Sequence, residues 1–146
     1  LDTAPAEIDA ELEGRAVLDW LIEPTRIYVS ALGDLAQGGK LKGVAHITGG
    51  GLTENVARAL SAGTCAHIDN ASWTSPAIFD WLARHGNVSR DEMHRTFNCG
   101  IGLVLVVAES DCDDVLNDLQ SREQGARIIG RVEKASSPEA REVRIR

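Results

Sequence analysis

The chain of 146 residues is 43% hydrophobic and 25% charged, and its 15 basic and 22 acidic side chains give a formal net charge of -7. This length predicts a single globular domain that needs no disulfide or metal to stabilise its core. The longest apolar stretch, residues 101–108, is far short of the roughly 20 residues that cross a bilayer, and the acidity argues against a nucleic-acid surface.

Hydrophobic periodicity predicts alternating helices and strands along the chain. The first half is predicted to contain a helix at 13–22 ended by Pro24, a strand at 25–29, a helix at 30–36, a strand at 41–47 and a helix after three glycines. The second half is predicted to contain a strand at 65–69, a helix at 76–85, a helix opened by a Ser89/Glu92 capping box, a strand at 100–108 covered on both faces, a helix at 111–123, a strand at 126–132 and an edge strand near Val143.

These elements predict an α/β or α+β fold, a single domain in which a mixed β-sheet is flanked by helices. The side chains predicted to face the core of this domain are Val17, Leu18, Leu21, Leu52, Val56, Leu60, Ile78, Phe79, Leu82, Val115, Leu116 and Leu119. Trp73, Phe79 and Trp81 are predicted to be core or rim aromatics, and His85 and His94 to be surface residues. Asp111, Asp113 and Asp114 are predicted to lie at a helix N-terminus, where carboxylates suit the dipole.

Charge and cysteines give two further expectations. Residues 1–24 hold seven acidic side chains and one basic one, whereas the rest of the chain is nearly neutral. The chain opens on Leu1 rather than Met, so we expect that it was cut from something longer. Three widely spaced cysteines, with no CxxC pair and no secretory signal, predict a reducing, cytoplasmic location.

One stretch stands out as a candidate binding site: Thr48, Gly49, Gly50 and Gly51 follow a predicted strand and open a predicted helix. Glycines at such a junction let backbone approach a ligand, and the free amides of a helix start favour an anion. The loop matches neither the Walker A motif nor the dinucleotide GxGxxG fingerprint. The alternative is that three glycines make only a tight turn.

Nearby polar residues extend this candidate site. His46 could act as a donor or as a general acid or base, although a lone histidine at a strand end is often only a hydrogen-bonded structural residue. Glu54 and Arg58 have the i, i+4 spacing of a surface ion pair, and Arg58 could also reach an anion at the helix start. The alternating Cys65, His67 and Asp69 lack a fourth ligand, so no metal site is predicted.

Three blocks of sequence resemble one known family. They are EPTRIYV at 23–29, AHITGGG at 45–51 followed by Glu54 and Asn55, and EMHRTFNCGIG at 92–102. In this order they resemble the C-terminal domain of the aminoimidazole ribonucleotide synthetase family, the phosphoribosylformylglycinamidine cyclo-ligases of purine biosynthesis. The resemblance spans essentially the whole chain. It implies that residues 1–24 are an acidic leader and first helix at a former domain junction, and that residues 25–146 are the C-terminal domain.

The resemblance also implies an activity. Such a ligase uses ATP and Mg²⁺ to phosphorylate the formyl amide oxygen of formylglycinamidine ribonucleotide, and an amidine nitrogen then closes the imidazole ring. The nucleotide and metal are bound mainly by an N-terminal domain that also forms a homodimer, so this chain alone is expected to be inactive. His46 would assist proton transfer or binding, and the substrate-binding residues would be Thr48, Gly49, Gly50, Gly51, Asn55, Arg58 and Asn98.

Two other functions remain open from the sequence. One is a related enzyme that uses ATP to activate an amide or a carboxyl group. The other is a non-catalytic anion-binding or assembly module that uses the glycine turn to recognise a ligand or a partner domain. Tight, saturable binding of phosphate, ATP or substrate by this chain alone would favour the module.

Overall fold

The computed structural model describes residues 9–122 and 125–146. Its helices are α1 (Val17–Leu21), α2 (Val29–Gln37), α3 (Gly51–Ala59), α4 (Ala77–His85), α5 (Arg90–Thr96) and α6 (Cys112–Arg122). Its strands are β1 (Glu11–Leu12), β2 (Arg15–Ala16), β3 (Leu41–His46), β4 (Thr64–Ile68), β5 (Leu103–Val107), β6 (Gly130–Lys134) and β7 (Arg141–Ile145). No helix in the described ranges is long and apolar enough to cross a membrane.

Within the described ranges the strands form three small sheets, and this arrangement confirms the predicted mixture of helices and sheet. β1 and β2 form a hairpin, β3 pairs antiparallel with β5, and β4 lies between antiparallel β6 and parallel β7. The third sheet is therefore mixed, with β7 at its edge as predicted. The β3–β5 ladder matters most for function, because His46 ends β3 and pairs with Leu103, which opens β5.

Two clusters of buried side chains hold these elements together. The first joins the inner faces of β3, β4 and α3, with Ile47, Leu52 and Val56 almost fully buried. The second joins α1, α4 and α5 around Val17 and Trp81. Trp73 and Trp81 are buried and Phe79 is partly buried, which confirms their assignment as core or rim aromatics.

The start of the described chain differs from its predicted form. The helix predicted at 13–22 is shortened to α1, because Glu13 and Gly14 adopt positive φ angles of 54° and 76° and turn the chain between β1 and β2. Such a two-residue turn suits a β-hairpin. Leu18 and Leu21 are 44% and 42% exposed rather than buried, since a helix of five residues turns few side chains toward the core.

The strand predicted at 25–29 does not form. Residues 23–28 have no regular secondary structure, and α2 already begins at Val29. Ile27 and Val29 are each 77% exposed. A β-rich sequence becomes a strand only where a neighbouring strand completes its hydrogen bonds, and none of the described strands pairs with this segment.

Two later strands also differ from prediction. β5 is half-buried along its whole length rather than covered on both faces, and its Val104 and Val106 are only partly buried where they pack against the first cluster. The strand predicted at 126–132 becomes β6, which begins at Gly130. Its antiparallel partner β4 ends at Ile68, opposite Gly130, so residues before Gly130 have no strand to pair with. The first eight residues of the predicted acidic leader, and Glu123 at the end of the helix predicted at 111–123, lie outside the described residues.

Candidate functional site

The glycine loop joins β3 to α3 in a conformation that requires glycine. Gly50 and Gly51 have φ angles of 96° and 55°, in the left-handed region that other residues avoid. A Cβ on Gly51 would also overlap the backbone oxygen of His94, at the end of α5. The tight turn and the close approach of α5 therefore both explain this glycine.

The buried amide of Asn55 holds the loop in place. Its Nδ2 donates hydrogen bonds to the backbone oxygens of Thr48 (3.3 Å), Gly49 (3.2 Å) and Gly51 (2.8 Å). Its Oδ1 accepts a hydrogen bond from Nη1 of Arg58 (3.3 Å). Asn55 thus fixes three loop carbonyls from the first turns of α3.

The start of α3 provides few free donors. The amide of Gly51 donates to the oxygen of Thr48 (3.0 Å), and intrahelical bonding begins with the amide of Glu54 donating to Gly50 (3.1 Å). The amides of Leu52 and Thr53 precede that first intrahelical bond, but Leu52 is fully buried, so Thr53 is the better candidate of the two as a helix-start donor for an anion. The glycine amides are thus a smaller part of an anion site than the sequence suggests.

Two arginines converge on Glu54 beside the loop. Glu54 forms ion pairs with Arg58, four residues later on α3 (3.1 Å), and with Arg95, in the last turn of α5 (3.6 Å). The predicted Glu54–Arg58 surface pair is confirmed. Arg95 was missed as a neighbour of the loop, because no local spacing indicates that the end of α5 packs against the start of α3.

His46 lies on the exposed side of β3, while its neighbours Ala45 and Ile47 are buried on the other side. Its imidazole meets the ring of Tyr28 edge to face, with 5.9 Å between ring centroids and an interplanar angle of 69°. No local spacing places Tyr28 at this position, because the segment that carries it is predicted to be a strand.

A second turn lies beside the glycine loop. The amide of Ile47 donates to the oxygen of Gly102 (2.9 Å), which joins the ends of the two segments. In this turn Oδ1 of Asn98 accepts from the amide of Gly100 (2.9 Å). Residues 46–51 and 98–102 therefore meet at one end of the β3–β5 ladder, and His46, Asn55 and Asn98 belong to one region.

Burial decides the chemistry of two further groups near this region. His94 is buried, not at the surface as predicted, because the end of α5 packs against the start of α3. Burial lowers the pKa of His94, so its imidazole is neutral near pH 7. Burial also raises the pKa of Cys99 to about 11, so its thiol is not an activated nucleophile.

Other polar residues named from the sequence lie outside this region. His85 is exposed as predicted and stacks on Trp81, with ring centroids 4.1 Å apart. On β4, Cys65 is buried and His67 lies 3.4 Å from the carboxylate of Glu133. Within the described ranges, no group of three or more His, Cys, Asp or Glu side chains could hold a metal ion.

Comparison with known proteins adds the family context. Residues 3–142 match the model of the AIR synthase related protein, C-terminal domain. The chain is 41% identical over 143 residues to a phosphoribosylformylglycinamidine cyclo-ligase of Cupriavidus taiwanensis and 43% identical to one of Burkholderia vietnamiensis. Each match covers 98% of this chain but 41% of the relative, so the chain spans about two fifths of the length of these curated relatives.

A solved structure shares the fold at lower sequence similarity. The crystal structure of E. coli HypE, a hydrogenase maturation protein, matches with a TM-score of 0.59 at 18% identity. The match covers 89% of this chain and 41% of the HypE chain. At this identity the likeness concerns the fold alone.

Proposed function

This chain belongs to the AIR synthase related family and matches its C-terminal domain, and on that premise we propose that it is the C-terminal part of an ATP-dependent phosphoribosylformylglycinamidine cyclo-ligase. The reaction converts formylglycinamidine ribonucleotide into aminoimidazole ribonucleotide. A phosphoryl group passes from ATP to the formyl amide oxygen. An amidine nitrogen then attacks the carbon that bears this oxygen, and phosphate leaves as the ring closes.

The observation that carries this proposal is the meeting of the glycine loop, His46 and the Asn98 turn at one end of the β3–β5 ladder. In this proposal the amides at the start of α3 bind a phosphate or a substrate amide. His46 supplies or accepts a proton or binds the substrate from the exposed side of β3. Asn55 and Arg58 shape the wall behind the loop, and Asn98 holds the neighbouring turn.

ATP and Mg²⁺ are assigned mainly to an N-terminal domain, which we propose completes the cleft and forms the homodimer. The coverage of the curated relatives supports this division, because the chain spans only 41% of their length. We also propose a cytoplasmic location, where the nucleotide substrates are found.

Binding energy sets the expected behaviour of this chain alone. An anion at a helix start gains about 0.3–1 kcal/mol, or about 2 kcal/mol when partly buried. Micromolar affinity requires about 8 kcal/mol. Half of a cleft should therefore bind its ligands weakly and should not turn them over.

The test is reconstitution of activity. The 146-residue chain is mixed with the separately expressed N-terminal part of the Burkholderia vietnamiensis relative, and ATP-dependent formation of aminoimidazole ribonucleotide is measured. We expect product only from the mixture, and strongly reduced turnover with His46→Ala. His85→Ala, which removes an exposed histidine far from the loop in sequence, is the matched control and should keep full turnover.

Two results would contradict the proposal. Normal turnover with His46→Ala would remove the role given to that residue. Tight, saturable binding of phosphate or ATP by the chain alone in calorimetric titration, with no turnover in the mixture, would favour a self-sufficient anion-binding module.

A further inference from the structure

Tyr28 has the least exposed side chain of the irregular segment 22–28. Around it, Ile22 is 66% exposed and Ile27 and Val29 are each 77% exposed, whereas Tyr28 is half-buried. Its ring lies edge to face against His46, with centroids 5.9 Å apart. A segment that lacks strand pairing is thus fastened to the end of the β3–β5 ladder through an aromatic ring.

The other end of the Tyr28 ring is fixed by Gly102. A Cβ on Gly102 would overlap the hydroxyl oxygen of Tyr28 and crowd its ring carbons. Gly102 does not have a positive φ, so its backbone does not require glycine. The missing side chain instead leaves room for the tyrosine hydroxyl at the entry to β5.

We propose that Tyr28 is a positioning residue for His46. Its hydroxyl end lies over Gly102, and its ring limits the rotation of the imidazole, which otherwise lies on an exposed strand face. Aromatic rings favour this edge-to-face arrangement because the positive edge of one ring meets the negative face of the other. The inference rests on the proposed function, because a positioned His46 matters for turnover only if His46 takes part in it.

A purely structural role predicts something different. If Tyr28 only anchored segment 22–28, its removal would loosen that segment and leave the imidazole of His46 unchanged. A positioning role predicts that the fixed orientation of the His46 ring, measured by NOEs to its neighbours, is lost when the ring of Tyr28 is removed. These NOEs therefore separate the two roles better than stability does.

The first measurement is two-dimensional NMR of the histidine ring signals in the 146-residue chain, with His46 assigned from its missing signals in His46→Gln. We expect Tyr28→Ala to weaken the NOEs between the His46 ring and its neighbours on β3 and β5, because the imidazole turns more freely once the Tyr28 ring is gone. A change in the His46 chemical shifts alone is expected for either role, because the ring current of Tyr28 is lost with the ring. Tyr28→Phe should keep the NOEs. Gly102→Ala should weaken them too, because the added methyl group displaces the tyrosine hydroxyl, and Val29→Ala, at the exposed residue next to Tyr28, is the control.

The second measurement is turnover in the reconstituted mixture. We expect Tyr28→Ala and Gly102→Ala to lower kcat about tenfold with little change in the KM for ATP, the pattern of a mispositioned group. Tyr28→Phe should retain most of kcat. If Tyr28→Ala does not fold, Tyr28→Leu keeps an apolar side chain against β5 and still removes the aromatic ring.

The outcomes distinguish the two proposals. Unchanged NOEs of the His46 ring in Tyr28→Ala or Tyr28→Leu would overturn the positioning role. Normal turnover with His46→Ala would instead overturn the proposed function, whatever the NOEs show. Weakened NOEs together with a lowered kcat support both.

Discussion

The amide of Asn55 gives the sharpest prediction about the loop. Its two N–H hydrogens serve three loop carbonyls, and its oxygen accepts from Arg58. A hydrogen bond contributes about 0.5–1.5 kcal/mol net, so Asn55→Ala removes about 1–3 kcal/mol. Alanine favours a helix interior by about 0.5 kcal/mol over asparagine. The expected net loss in the free energy of unfolding is about 1.5 kcal/mol.

Asn55→Asp makes the test stricter, because it keeps the shape of the side chain but replaces the amide N–H donors with an acceptor oxygen. At neutral pH the introduced carboxylate has no hydrogen to donate, and it would face the three loop carbonyls in a buried position. An uncompensated buried charge costs more than a missing hydrogen bond. We expect Asn55→Asp to lose at least 1 kcal/mol more than Asn55→Ala, since its gain from Arg58 is partly screened by solvent.

The assay is urea unfolding of the 146-residue chain followed by circular dichroism. Asn117→Ala, at an exposed position in the middle of α6, is the matched control for helix propensity and should leave stability unchanged or slightly increased. Losses below 0.5 kcal/mol for Asn55→Ala, or a smaller loss for Asn55→Asp than for Asn55→Ala, would refute the reasoning that this amide holds the loop.

Three more predictions concern neighbouring groups. Gly51→Ala should destabilise the chain by well over the roughly 1–2 kcal/mol that a left-handed backbone alone costs, because its methyl group would overlap the backbone oxygen of His94. Gly39→Ala, also at positive φ but with open space around it, measures the backbone part of this loss by thermal unfolding. Equal losses in the two variants would contradict the overlap. Burial raises the pKa of Cys99 to about 11, so its thiol should react with iodoacetamide at pH 8 far more slowly than that of the partly exposed Cys112. Mass spectrometry measures both rates, and equal rates would contradict the burial of Cys99. The pKa of His94 is lowered mainly by burial, so as the pH falls the unfolded chain binds a proton at this histidine before the folded chain does. Stability should therefore fall as the pH drops below about 6.5. His94→Gln should flatten this dependence of stability on pH, and an unchanged slope would show that other groups cause it.

Elements specified by local residues were predicted well. The helix after the glycines, strand β4 and the helix opened by Ser89 all lie close to their predicted positions. The oxygen of Ser89 accepts from the amide of Glu92 (3.3 Å), which is one of the two hydrogen bonds of the predicted capping box. The carboxylate of Glu92 accepts a hydrogen bond from the hydroxyl of Thr96 (3.1 Å), a contact that the capping box does not predict.

Elements that depend on a distant partner were predicted poorly. Residues 25–29 have strand-forming side chains but no neighbouring strand, and β6 begins only where β4 offers a partner. The burial of His94 depends on the contact between α5 and Gly51, and no residue spacing in the sequence predicts that contact. Local patterns report propensity, whereas pairing and burial depend on contacts between segments that are far apart in the chain.

The sequence by itself determined the fold class, the glycine loop and the family resemblance, because each of these depends on residue type and short spacing. It also indicated an anion-binding helix start. Only the tertiary structure decided that Asn55 ties the loop carbonyls together, that Arg95 joins Glu54 and that Tyr28 meets His46. These contacts arise when helices and strands pack, and packing selects among partners that the sequence leaves equally possible.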